Sequence, residues 1–414
     1  MVQNIHGCQA DAPIWVGAQS ETGPWIRVNS SGTNTYTFNI SNRGGFAAVY
    51  NASGGGYRVE LTYGTAAELA STGLQCIDPT GGKFVTGTFA SAGASDDAYI
   101  SLGGAETSRT GSGAFQLFDV ADGPLDLIAV RSTVTTTTFT PTKMIFRRNV
   151  NQANNSAIPV LDFGAAEAFD PATANVTIGN LGSDLPLVLA LMTTMAGGSA
   201  PYYFGGFVAG PTVLPWYGVP ESRLTTSDLH NLIVGGVNQT GDQYRLVYVW
   251  ARQVTNRTVT LGPALSAPAI TVASATPYVR HRTVFARQAE YGQAALIQFD
   301  QNSESGGANY RLVSIQASAG YLGTATNWDV TVPDLTGASG FLPTWGPQPT
   351  FPTGYSTSAI GGTGNINSYP TDGLTLNIAL RFGNTVSSEA NVAGRDAAKV
   401  IRRATRGWSW LRRH

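Results

Sequence analysis

The sequence predicts an all-β protein made of several antiparallel β-sandwich modules and ending in a short basic helix. Three observations carry that prediction. Short apolar segments alternate with a period of two, glycine-marked turns separate them at close intervals, and no regular alternation of strands with long helices occurs. The last point argues against a doubly wound sheet. Gly (49) and Pro (21) are abundant, charged residues make up only 12%, and a hydrophobic content of 42% is enough to fill several cores. Aromatic residues at 10% separate the chain from a glycine-rich disordered one. A length of 414 residues suggests about two to four domains.

The elements follow in order. In YTFNIS, Tyr36, Phe38 and Ile40 share one face while Thr37, Asn39 and Ser41 share the other. In YRVELTY, Tyr57, Val59, Leu61 and Tyr63 oppose Arg58, Glu60 and Thr62. Tyr244, Leu246, Tyr248 and Trp250 alternate with Arg245, Val247 and Val249, and LTLNIALRF sets Leu374, Leu376, Ile378, Leu380 and Phe382 against Thr375, Asn377, Ala379 and Arg381. A period of two is what a sheet with a buried face requires. The turns NRGG (42–45), NASGGG (51–56), DPTGG (78–82), TGSG (110–113) and ADG (121–123) supply Gly, Asn and Asp where the backbone must reverse. Helix is expected over 66–72 (AAELAST) and over 395–406 (RDAAKVIRRATR), the latter stopped by Gly407.

Composition shifts divide the chain into an N-terminal β-rich region (1–80), a sandwich (81–150), a second sandwich (155–270), a third (271–385) and a basic helical tail (386–414). QANNSAIP at 152–159 reads as a linker. The segment 341–365 reads as a long Pro/Gly surface loop ordered by Trp345, Phe351 and Tyr355, because its prolines oppose a central strand. Two internal echoes are present: AYISLGG (98–104) with VTIGNLG (176–182), and Tyr-Arg-Val (57–59) with Tyr-Arg-Leu at 244–246 and 310–312.

In the segment 98–131, Gly113, Phe115, Leu117, Val120 and Gly123 form a GxFxLxxVxxG pattern ahead of Leu125, Leu127, Ile128 and Val130. This resembles the bacterial immunoglobulin-like or carboxypeptidase-regulatory-like β-sandwich over residues 84–131. The resemblance implies immunoglobulin-like modules; jelly-roll-like sandwiches are the other form that the strand and turn pattern allows. It implies extracellular or cell-envelope modules without catalytic residues of their own.

No catalytic, cofactor or metal constellation is legible. His6, His230, His281 and His414 have no patterned partner, and no HExxH appears. Ser112 in TGSG lacks the GxSxG frame. The glycines form neither a dinucleotide nor a P-loop motif. Asp96, Asp97, Asp162, Glu167, Asp170, Asp184, Glu221, Asp228, Asp300 and Asp334 are carboxylates that a glycosidase would need in pairs, and turn capping is their other reading. Cys8 and Cys76 either pair as a disulfide or remain two thiols. Trp216, Tyr217, Trp345 and Tyr355, with Tyr202, Tyr203 and Phe204 nearby in the chain, are candidate contacts for a protein partner or a glycan, unless they fill cores.

From Arg395 onward seven Arg or Lys stand against one Asp, so the acidic excess lies in the rest of the chain. Arg395, Lys399, Arg402, Arg403, Arg406, Trp408 and Trp410 form a candidate assembly tail, able to pack on an acidic surface of this chain or a neighbour, to meet a membrane interface, or to hold nucleic acid inside a shell. Met1 runs directly into VQNIHG, so export requires that a leader has been removed or that another route is used. Leu185–Met195 is too short to span a bilayer. The expected function is a non-enzymatic structural or adhesive protein, extracellular or at the cell surface, acting through self-assembly or another surface protein. The alternatives are a secreted carbohydrate-binding protein and a β-sandwich virion shell protein.

Overall fold

The computed structural model describes residues 2–6, 12–31, 35–70, 82–135, 138–194, 198–206, 212–302, 307–363 and 370–384. They form an all-β fold dominated by one mixed sheet of 16 strands, with four smaller sheets beside it.

The same six-strand pattern occurs four times along the chain. In the first sandwich the strands are Val2–His6, Trp15–Ser20, Ile26–Arg27, Thr35–Asn39, Arg43–Asn51 and Tyr57–Thr65. In the second they are Lys83–Ala90, Asp96–Leu102, Ala105–Thr110, Gly113–Val120, Leu125–Val134 and Thr138–Val150. The third has Ala172–Gly179, Leu185–Thr194, Gly198–Gly206, Val213–Gly218, Leu229–Val237 and Gln243–Ala251. The fourth has Arg280–Ala286, Ala294–Gln301, Arg311–Ser318, Asn327–Thr331, Gly354–Gly362 and Thr375–Asn384. In every unit the first and fourth strands pair in the small sheet. The other four run in the order three, two, five, six in the large sheet. All these pairings within units are antiparallel. Two strands facing four with these crossings is the immunoglobulin-like arrangement, B and E against C′, C, F and G.

The units join edge to edge in the order first, fourth, third, second. Tyr57–Tyr63 of the first lies parallel to Arg311–Ala317 of the fourth. Gln243–Val249 of the third runs antiparallel to Thr375–Arg381 of the fourth. Thr138 and Phe139 of the second pair with Gly205 and Phe204 of the third. The N-terminal sandwich is therefore bonded to the C-terminal one rather than to its neighbour in sequence.

Alternation along each strand then fills cores on both faces of the large sheet. Phe46, Ala48 and Tyr50 enter the core of the first sandwich, whereas Ala47 and Val49 enter that of the fourth, beside Val59, Leu61, Ile297, Phe299 and Trp328. Leu127 and Ala129 pack within the second sandwich with Phe89, Phe115 and Leu117, while Ile128 and Val130 join the core of the third. On the opposite face of the third and fourth, Leu246, Tyr248, Trp250, Leu376, Ile378 and Leu380 share one apolar cluster.

The GxFxLxxVxxG segment does in the fold what its pattern implies. Phe115, Leu117 and Val120 are buried, and a register shift between Leu117 and Val120 explains the odd spacing that keeps Val120 inward. Gly123 has φ +102° in the turn that follows, a left-handed value open to glycine.

Two expectations are corrected. Residues 341–365 are not one loop: Gly354–Gly362 is a central strand paired on both sides, and the prolines stop at Pro352. The 152–159 linker carries Ser156–Ala157, bonded parallel to Val85–Thr86. The helix expected over 66–72 is present as Ala66–Ala70, with Thr65 and Glu68 bonding reciprocally at its start, and residues 71 and 72 lie outside the described residues. The basic tail lies outside the described residues, as do Cys8, Cys76 and His414.

Candidate functional site

The sequence-predicted aromatic candidates do not share a surface. Trp216 is fully buried in the third sandwich, its indole N–H donating to the Thr255 carbonyl at 3.2 Å and its ring edge-on to His230. Trp345 is buried where the first and fourth sandwiches meet, edge-on to Phe341 at 5.3 Å and 6.3 Å from Tyr57. Neither offers a ring face to a ligand. Tyr217 is half-buried next to Trp216, and burial raises its phenol pKa. Tyr355 is half-buried at a crevice shared with Asp300, Ser356 and Phe382. Tyr202, Tyr203 and Phe204 lie on Gly198–Gly206, where only the backbone is described.

An aromatic pair that sequence reasoning missed is on the outside. Phe118 is 62% exposed and its ring is 5.2 Å from that of Phe84 across the small sheet of the second sandwich. The signal was available: Phe118 is out of phase with Phe115 and Leu117, and so belongs to the solvent face of its strand.

The titratable candidates are tied into the fold. Arg148 bonds Asp126 at 3.0 Å and is gripped by both oxygens of Asp228, which also accepts from the Thr225 amide at 2.6 Å. This cluster pins the second sandwich to the third. Burial pushes the Asp228 carboxyl up, but the Arg148 guanidinium and Thr225 outweigh it and hold the group below the usual carboxylate value. A general acid needs the reverse. Asp184 accepts from Arg245 at 2.7 Å and 2.9 Å, and that guanidinium also caps the Asn180, Leu181 and Gly262 carbonyls. Asp96 faces Arg131, Glu167 faces Arg147, Asp170 faces Lys143, Glu221 faces Arg252 and Asp334 faces Arg280. Asp162 accepts from the Gly164 amide in a turn, and burial raises the pKa of Asp97.

His230 is fully buried against the Ala251 and Arg252 carbonyls, and burial pushes its pKa down to about 4. His281 is buried in the fourth sandwich, stacked on Phe299 at 4.6 Å, and is likewise lowered to about 4. Ser112 bonds the Ala92 amide and carbonyl, a turn role. Among the described residues no group of three or more His, Cys, Asp or Glu is placed to hold a metal ion, and no helix is long and apolar enough to cross a membrane.

What the surface offers is an open sheet edge. Ala269–Ser274 (AITVAS) is the outer strand of the fourth small sheet and, among the described residues, pairs only with Arg280–Ala286. It occupies the place beside the first strand that Ser156–Ala157 and Arg257–Thr260 take in the second and third sandwiches. Four of its six residues are exposed, none is charged, and Val272 is 58% exposed. Several other outer strands are blunted. Ala105–Thr110 carries Glu106 and Arg109, Val213–Gly218 contains Pro215, and Ile26–Arg27 is two residues long. The free side of Thr35–Asn39 is bridged by Ser30.

Fold and surface together define a four-sandwich, immunoglobulin-like β protein whose fourth small sheet ends in an uncharged open edge. No protein-family model matches the chain, and no curated protein matches it either.

Proposed function

We propose that the protein is a non-enzymatic structural or adhesive component, exported or surface-displayed, that works through contacts with further copies of itself or with a surface partner. The observation that carries this reading is the uncharged, exposed outer strand Ala269–Ser274, an edge of the kind proteins blunt unless it is to be paired. The continuous sheet supports it: backbone hydrogen bonds cross every joint between sandwiches, so a contact made at one unit is braced by the others. The candidate carboxylates and histidines engaged as described are accounted for by packing and ion pairing.

A second reading, glycan binding, is favoured by the exposed Phe84–Phe118 pair, since aromatic faces stack on sugars. Light scattering with negative-stain microscopy, at low and high salt, separates the readings. Assembly predicts a native mass that rises with concentration, with filaments or discrete oligomers on the grid. Closed shells would point instead to a virion protein. A monomer at every concentration, retained on a glycan array and released by Phe118→Ala, would replace assembly with glycan recognition.

A further inference from the structure

We infer that Ala269–Ser274 is a homodimerisation edge, at which two copies of the chain pair these strands antiparallel about a two-fold axis through Thr271. The inference rests on the assembly reading and gives it a place and a geometry.

The backbone sets the register. The His281 carbonyl accepts from the Val332 amide, so His281 and its alternates direct their peptide groups toward the strand Asn327–Thr331. Arg282 and Val284 therefore direct theirs toward the outer strand, where they face Thr271 and Ala269. It follows that Thr271 and Ala269 are bonded inward, whereas the N–H and C=O groups of Ile270 and Val272 point away from the sheet. These two residues flank Thr271 symmetrically. In a two-fold antiparallel pairing Ile270 lies opposite the partner's Val272, and Val272 opposite the partner's Ile270, each pair exchanging both hydrogen bonds.

The side chains agree with that register. Ile270 packs on the core of the fourth sandwich, and Val272, two residues on, shares its face but is left largely uncovered. Pairing sets Val272 beside the partner's Ile270 on this apolar face and brings the two Thr271 side chains together on the other. The six residues carry no charge, so the paired strands themselves bring no like charges together. Pro268 before the strand, and the register shift between Val272 and Ser274 after its centre, limit the pairing to a short segment. An isologous contact of this kind closes on itself, so association at this edge stops at two. A six-residue pairing is smaller than the ~1,200 Å² of a standard interface, which makes the dimer weak and concentration-dependent.

The test follows native mass and single-residue amide exchange of the full chain over about a hundred-fold range of concentration. The expected result is a mass rising toward twice the monomer, with the Ile270 and Val272 amides slowing in parallel. The Thr271 amide, already bonded in the monomer, keeps its rate. Val272→Lys should hold the chain monomeric, while Val213→Lys, at another half-exposed outer strand, should leave dimerisation intact. If mass rises but the two amides exchange at an unchanged rate and Val272→Lys still associates, this edge is not the contact and assembly proceeds elsewhere. A chain that stays monomeric throughout overturns both this inference and the assembly reading.

Discussion

At the scale of single residues, buried polar groups decide how this protein responds to acid. His230 is neutral in the fold with a pKa of about 4, below the ordinary 6.5, so the unfolded chain takes up its proton first as pH falls. Its contribution is complete above pH 6.5 and is lost between 6.5 and about 4, on the order of 3 kcal/mol by the lower end. His281 acts in the same direction over the same window. Melting temperature should therefore drop between neutral pH and pH 4, and His230→Gln should flatten that drop whatever it does at pH 7; an unchanged slope would contradict the assignment. Asp228 has the lowered pKa of a paired carboxylate, so its contribution persists at pH 5 and fades only below its ordinary value of 3.8. Asp228→Ala leaves Arg148 with Asp126 as its one carboxylate partner among the described residues and the Thr225 amide without its carboxylate, and should cost about 3 kcal/mol at pH 7 in denaturant unfolding.

At the scale of elements, strands whose large side chains alternate were legible in the sequence, and a strand built of small residues without a period was not. YRVELTY and LTLNIALRF announce themselves by alternation, and both are strands as read. GYSTSAIGG reads as loop because its small residues show no period, yet it lies between two partners in the large sheet. Its glycine at 361 is required by close approach: a Cβ there would meet the Glu290 carbonyl oxygen at 2.3 Å. Gly361→Ala should destabilise by about 1–3 kcal/mol, whereas Gly337→Ala, with open space around its Cβ, should be near neutral. The aromatic candidates failed for a related reason. Trp216 and Trp345 stand in turn-like, proline-rich sequence, and their burial comes from strands and loops far away in the chain. The Tyr-Arg echo marks real structure: at 57 and 244 it opens the sixth strand of a unit, and at 310 the third. Arg245 and Arg311 both turn back onto carbonyls of neighbouring loops. The 98–104 and 176–182 echo joins non-equivalent positions and reflects composition alone.

At the scale of the whole molecule, the fourfold pattern was visible only in part, because what repeats is pairing order rather than residues. The joints are less legible still: the parallel bond between the first and fourth sandwiches spans most of the chain. It makes the two units interdependent, since Leu61 of the first lies in the core of the fourth. Leu61→Ala should cost about 2–5 kcal/mol and speed amide exchange in Ala294–Gln301 as well as in its own strand; a response confined to the first sandwich would show the two to be separate folding units. Whether this braced body acts by assembling is decided most directly by sedimentation velocity of the full chain from dilute to concentrated solution. The account predicts a weight-average mass that climbs with concentration and returns on dilution. A single monomeric boundary at every concentration would contradict it.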